Sequence, residues 1–225
     1  MKRTMIFSVA AALMIAAAGI RAQTEKNDSV KSKSQPATEK KVTVPKDAAG
    51  QATFRYPIRD KANKFATLET DAGKLVLELY HDVAPNHADS FAARCKDGFY
   101  VNTIFHRVID GFMIQGGDPN GDGTGGAAYK LKAEFNKLPH VEGTLSMARA
   151  VDPNSASTQF FICLGRAAAL DGQYTNFGHL IKGYDVLHKI GSAEVVTSPH
   201  GEKSKPKVPV KVLRAYPSDA EGNKL

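Results

Sequence analysis

Polar and apolar residues alternate with period two over residues 74–80, so that Leu75, Leu77 and Leu79 share one face of a strand. A similar run occupies 65–70, and Asp71, Ala72 and Gly73 supply a turn between the two, which reads as a hairpin. The period then changes. Behind Pro85, the residues Ala88, Phe91, Ala92 and Cys95 fall at i, i+3, i+4 and i+7, the apolar stripe of a helix that Gly98 closes. Short apolar runs broken by turn residues follow as far as Leu164 and predict a series of short strands. A second helix is expected over 184–190, turning Val186, Leu187 and Ile190 inward and ending at Gly191, with a last strand over 208–215. Many strands with one helix near each end predict an all-β fold with minor α, a closed antiparallel barrel whose ordered part starts near Phe54.

One stretch departs from this simple patterning. Residues 105–118, FHRVIDGFMIQGGD, gather apolar side chains around one arginine and one glutamine, then run into a glycine-rich segment reaching Gly126. Three consecutive apolar residues, Phe112 to Ile114, suit a strand buried on both faces. A guanidinium beside such a surface is costly unless it has a partner or a task. By itself Arg107 is equally consistent with a structural ion pair to a carboxylate such as Asp110.

Three further blocks follow in order: GTLSMARA at 143–150, STQFFICL at 157–164 and LDGQYTNFG at 170–178. Together with FHRVIDGFMIQGGD, at this spacing, they resemble the cyclophilin-type peptidyl-prolyl cis-trans isomerases, and the resemblance runs from about Phe65 to about Val212. It implies an eight-stranded closed barrel capped by two helices, working without metal or cofactor. Arg107 matches the catalytic arginine, and Gln115 matches the residue that orients it and contacts the substrate backbone. Phe112, Met113, Phe161 and Leu170 match the apolar pocket for the proline ring. Ala148, Arg149 and Ala150 match the edge that pairs with an extended peptide, with Gln159 nearby. Tyr174 stands at the pocket mouth, where many members have histidine. Two departures bear on ligands. Arg149 replaces a common asparagine, adding positive charge beside the peptide path and favouring acidic neighbours. Ala169 replaces a common aromatic residue, often tryptophan, that helps hold cyclosporin, so weak cyclosporin binding is expected.

Composition and charge change the picture mainly at the ends. The formal charge is +7, yet residues 51–200 carry −1, while 1–22 carry +3, 23–50 carry +2 and 201–225 carry +3. A nucleic-acid footprint would concentrate lysine and arginine on the domain itself, so no nucleic-acid partner is expected. Met-Lys-Arg followed by the apolar run 4–20 reads as a signal peptide over 1–22, with an uncleaved anchor as the alternative, and implies a periplasmic or secreted protein. Because Cys95 is the first cysteine, a lipid-modified amino terminus is excluded. Residues 23–50, rich in Lys, Ser, Thr and Glu, have too few large apolar groups to offset ordering entropy and read as a disordered linker. The isomerase domain is assigned to 51–217 and a flexible tail to 218–225. Cys95 and Cys163 both sit among apolar neighbours and read as buried thiols, although export leaves a disulfide open.

The remaining motifs carry less. Asp118 to Gly123 imitates the start of an EF-hand loop, but its twelfth position is Tyr129 rather than glutamate, and no entering helix precedes it. Seven histidines show no H-E-x-x-H spacing or Cys/His cluster, so no metal site is expected. His106 adjoins Arg107, but prolyl isomerisation moves no proton to or from the substrate, and the histidine reads as strand support. G-x-S-x-G is absent. The expected function is therefore acceleration of Xaa-Pro rotation in unfolded or flexible exported proteins by a monomer. A non-catalytic proline-peptide binding module or chaperone is the alternative.

Overall fold

The computed structural model describes residues 58–60, 63–199 and 201–225. The signal-peptide and linker assignments, 1–22 and 23–50, lie outside the described residues.

The first hairpin forms as its alternation requires. Strands β1 (Lys64–Thr70) and β2 (Gly73–Leu79) pair antiparallel, and the Thr70 hydroxyl accepts the N–H groups of Ala72 and Gly73 at the turn. Helix α1 (Pro85–Lys96) starts on its proline and buries His87, Ala88, Phe91 and Cys95. Its first turn lacks a capping side chain of its own. Glu134, from a distant loop, accepts the N–H groups of Asn86 and His87 at 3.1 and 3.0 Å, which satisfies donors a helix start otherwise leaves open.

Short strands then follow: β3 (Arg107–Ile109), β4 (Met113–Gly116), β5 (Thr144–Met147), β6 (Phe160–Cys163) and β7 (Asn176–Lys182). Helix α2 (Tyr184–Gly191) turns Val186, Leu187 and Ile190 inward, as its pattern predicts. A hairpin absent from the sequence reading comes next, β8 (Val195–Thr197) with β9 (Lys203–Pro206). The last strand, β10 (Val212–Ser218), starts later than expected. Beyond it the chain turns back: Ser218 bridges Lys224, and the Leu225 N–H donates to the Pro217 carbonyl at 3.1 Å.

Eight strands form one curled antiparallel sheet in the order β10-β1-β2-β7-β5-β6-β4-β3. The expected closed barrel is not formed by strand pairing, because β3 and β10 remain edges. The reason lies in residues 102–105. Asn102 takes a left-handed conformation (φ 67°), and Ile104 bridges both Lys211 and Asp118, so a single residue stands where a ladder would be. Backbone bonds from Asn102 to Val212 (2.8 Å) and Phe105 to Val210 (3.0 Å) still tie this segment to the β10 side. Inside the curl, Phe91 meets Phe160 edge-on at 5.2 Å and Phe177 at 5.5 Å, alongside Phe105, Val108, Ile114, Leu145 and Ile162. Cys95 and Cys163 are both buried and free.

Candidate active site

Strand register brings the predicted residues into a row. Arg107 lies opposite Gln115 across β3 and β4, Gln115 opposite Phe161 across β4 and β6, and Phe161 opposite Ser146 on β5. Residues directly opposite in antiparallel strands share a face, as do residues two apart along one strand. Val108, Ile114 and Ile162 are the intervening residues, and all three belong to the core cluster. Arg107, Met113, Gln115 and Phe161 therefore occupy the outer face.

That outer face carries its own apolar layer. Met113, Phe161, Leu170 and Tyr174 are 2, 5, 2 and 8% exposed, yet none belongs to the core cluster inside the curl. The Tyr174 ring meets Phe161 edge-on at 5.9 Å, and the Tyr174 N–H donates to the Leu170 carbonyl at 3.1 Å. Leu170 ends a short 3-10 helix, Ala168–Leu170, whose Ala169 is exposed. Phe112 precedes β4, half-buried; its carbonyl accepts the Leu164 N–H at 2.8 Å, which fixes the turn beside Phe161's strand.

The polar groups form a continuous chain. One terminal nitrogen of Arg107, Nη1, donates to Gln115 Oε1 at 3.3 Å and lies 3.9 Å from the Met113 sulfur. Gln115 Nε2 donates to Gln159 Oε1 at 3.0 Å, and Gln159 Nε2 reaches the carbonyls of Gly123 and Gly125 at 3.0 and 2.8 Å. The glycine-rich segment is thus an anchor for this chain. Gly117 (φ 79°) begins it, and a Cβ there would stand 2.5 Å from the Thr158 carbonyl, so no larger residue fits. The Asp118 carboxylate, aligned by motif with a calcium ligand, instead accepts the N–H groups of Asn120, Asp122 and Gly123.

Arg107 has an acidic partner, and it is not Asp110, which sits exposed in the turn after β3. Glu202, between β8 and β9, accepts Arg107 Nε–H at 2.6 Å and one Nη2–H at 2.8 Å. The guanidinium holds the Glu202 carboxyl below its usual value. His106 precedes β3, and burial holds its pKa below the usual imidazole value. Neither of its ring nitrogens has a hydrogen-bond partner among the described residues. That leaves the imidazole without the contacts of a general base.

The peptide-pairing edge is narrower than the sequence suggested. The Ala148 N–H donates to Gln159 at 2.9 Å and the Ala150 N–H to the Ser155 hydroxyl at 2.8 Å, so both are used within the protein. Arg149 folds over the Tyr174 ring at 4.5 Å and donates to the carbonyls of Ala150, Val151 and Gln173.

Sequence reasoning missed two supports of this site. One is Glu202. The other is His140, which stacks on Phe161 at 6.1 Å while contacting Ser146 Oγ at 2.9 Å and Asp171 Oδ1 at 3.2 Å. An -H-V-E-G-T- run before a strand gives little warning that the histidine is buried; the Asp171 of LDG was the available signal. A separate cavity of about 900 Å³, lined by Ile58, Phe65, Ala92, Pro217 and Leu225 among others, contains none of the row's residues.

Comparison with known proteins places the chain in a family. Residues 65–216 match the family model described as cyclophilin type peptidyl-prolyl cis-trans isomerase. A peptidyl-prolyl cis-trans isomerase of Synechococcus elongatus is 50% identical over 113 residues, 50% of this chain and 77% of that protein. One from Acinetobacter baylyi is 42% identical over 160 residues, 68% of this chain and 84% of that protein. Among solved structures, a cyclophilin type peptidyl-prolyl cis-trans isomerase of Cryptosporidium parvum, determined in the presence of the dipeptide Ala-Pro, superposes with a TM-score of 0.64. It shares 33% identity and covers 68% of this chain and 98% of its own.

Proposed function

The chain belongs to the cyclophilin-type peptidyl-prolyl cis-trans isomerases, and from that premise we propose that it accelerates Xaa-Pro rotation in unfolded or flexible exported proteins. The observation that carries this reading is the outer-face row: a guanidinium, an amide and a second apolar layer on the side of the sheet away from the core.

The chemical task is rotation about a bond with partial double-bond character, a barrier of ~18–20 kcal/mol. No covalent bond breaks. As the carbonyl leaves conjugation, the proline nitrogen becomes pyramidal and gains a lone pair, and a donor aimed at that lone pair favours the twisted amide over either planar isomer. Arginine suits the role because it stays charged and offers rigid donors. Arg107 is that donor, and Gln115 orients it. Met113, Phe161 and Leu170, with Phe112 at the entrance, grip the proline ring by shape. The Arg149 main chain carries the pairing with an extended substrate, since the flanking Ala148 and Ala150 N–H groups are spent. The Ala-Pro dipeptide present with the Cryptosporidium relative supports proline-containing peptides as ligands here.

The basic and apolar start of the chain, Met-Lys-Arg and 4–20, supports export to the periplasm or beyond, where slow proline steps limit folding. Ala169 presents a methyl group where an indole would hold cyclosporin, so the inhibitor binds weakly. Titration of cyclosporin in a proline-peptide assay checks this; nanomolar inhibition defeats it. The wider function is tested by refolding a protein whose slow phase is proline-limited. Catalytic amounts of the full chain should shorten that phase, and a requirement for stoichiometric amounts would favour the binding-module alternative.

A further inference from the structure

The row of site residues explains two of the guanidinium's neighbours, Gln115 and Met113, but not the third. Glu202 arrives from 95 residues away on a hairpin that packs directly against β3. The turn that presents it is built: the Ser198 N–H donates to the Glu202 carbonyl at 2.7 Å, and Gly201 takes the left-handed conformation (φ 86°). Ser204, 2% exposed on β9, is among the groups that hold the Glu202 carboxyl below its usual value, after Arg107. The contact with Arg107 is bidentate and side-on, the geometry in which two parallel bonds fix the plane of a guanidinium.

Five N–H groups belong to a guanidinium. Glu202 takes the Nε–H and one Nη2–H, and Gln115 takes one Nη1–H. What remains is one Nη2–H with no acceptor and one Nη1–H with nothing stronger than the Met113 sulfur at 3.9 Å. Without the carboxylate, Arg107 would be restrained only by a 3.3 Å bond to Gln115 and a long contact with sulfur. Its side chain is 17% exposed, so an unpaired cation there would also swing toward water.

We propose that Glu202 is a positioning residue for the isomerase: its bidentate contact fixes the plane of the Arg107 guanidinium and turns the outer edge of its terminal nitrogens toward the rotating imide. The proposal rests on Arg107 being the transition-state donor. It adds that the β8–β9 hairpin, on the sheet's edge, is part of the catalytic support. A donor held in advance does not have to be ordered during rotation, which is where preorganised groups gain their effect.

The test is a double-substitution cycle on the full chain, followed by NMR exchange on an Xaa-Pro peptide. Glu202→Ala should lower kcat roughly 10-fold with KM little changed. Glu202→Gln keeps one acceptor oxygen and should recover part of that loss. In an Arg107→Ala background, Glu202→Ala should have no further effect. The Arg107 Nε–H resonance should be slowly exchanging in the parent and lost in Glu202→Ala. An unchanged or higher kcat in Glu202→Ala overturns the proposal, because the acid would then idle or restrain the arginine. An equal loss in the Arg107→Ala background overturns it too, marking the hairpin as a purely structural element. Should Glu202→Ala misfold, the glutamine variant and its Nε–H signal decide alone. If Arg107→Ala retains full activity, the donor reading fails instead, whatever Glu202 does.

Discussion

Two arginines border the outer apolar layer, one on a strand and one on the loop after β5. Arg107 is held by strand register, by Gln115 and by a carboxylate on its far edge, which leaves one Nη2–H with no acceptor and one Nη1–H with only the Met113 sulfur. Arg149 has its donors turned back onto the carbonyls of Ala150, Val151 and Gln173, and its face laid on Tyr174. The same side chain is thus a poised donor at one end and a packing strap at the other. Residue type alone does not distinguish them; what holds them does, a carboxylate, an amide and a sulfur around Arg107 against main-chain carbonyls and an aromatic face around Arg149.

The largest effect should come from removing the poised one. Arg107→Ala is expected to lower kcat/KM by about 10²–10³-fold, the scale of deleting one transition-state donor. The fold should survive, because Glu202 is 40% exposed and can be hydrated once its partner is gone. Circular dichroism with an NMR exchange assay separates the two effects. A loss below about threefold would erase the contrast between the arginines. Equal losses in affinity and rate would favour a binding module over a catalyst.

Acid should act on the floor of the site. His87, His106, His140 and His179 are all pushed below the usual imidazole value by burial, His179 to about 4. A depressed folded-state value means that the unfolded chain takes up protons first. The stability these groups contribute is present above about pH 6.5 and is lost as pH falls toward the folded value. For His179 alone the loss is on the order of 3 kcal/mol by pH 4. His140 lies under Phe161, so the apolar floor should loosen in the same window. Urea unfolding at pH 7.5 and pH 4.5 measures this, and a flat profile between them would defeat it.

The difference between the two ends also marks what was legible in the sequence. Arg107, Gln115 and Phe161 are separated by short spacings within motifs whose apolar alternation fixes the register, so their row could be anticipated from 105–118 and 157–164. The two helices and the first hairpin follow from equally plain periodicity. Glu202 could not be paired with Arg107 by pattern. Its hairpin strands have three and four residues, Lys203, Ser204, Lys205 and Pro206 lack large apolar side chains, and the contact spans most of the domain. The β-branched run Val195 to Thr197 before a Pro-x-Gly turn was the one available sign. The open seam between β3 and β10 was equally hidden, since it depends on the left-handed turn at Asn102 rather than on strand propensity. Arg149 was legible as a departure in charge, but not in geometry. Its target carbonyls are main-chain groups, which every sequence supplies.

The smallest expected effect is the sharpest on that last point. Replacing Arg149 by asparagine removes a charge most of whose donors are already committed, and it leaves the main chain proposed to pair with substrate. Activity on a peptide with a neutral residue before proline should therefore change by less than about threefold. An acidic residue near the proline should be preferred by the parent over Arg149→Asn by a similar small factor at low salt, since exposed charge pairs contribute at most about 1 kcal/mol. That preference should vanish at high salt, where screening shortens the reach of the guanidinium to a few ångströms. A tenfold loss on the neutral peptide would mean that Arg149 leaves its carbonyls and joins the chemistry, and the division between a poised arginine and a strap would be wrong. A preference that persists in high salt would point to a direct contact with substrate, made only after the stack on Tyr174 has opened.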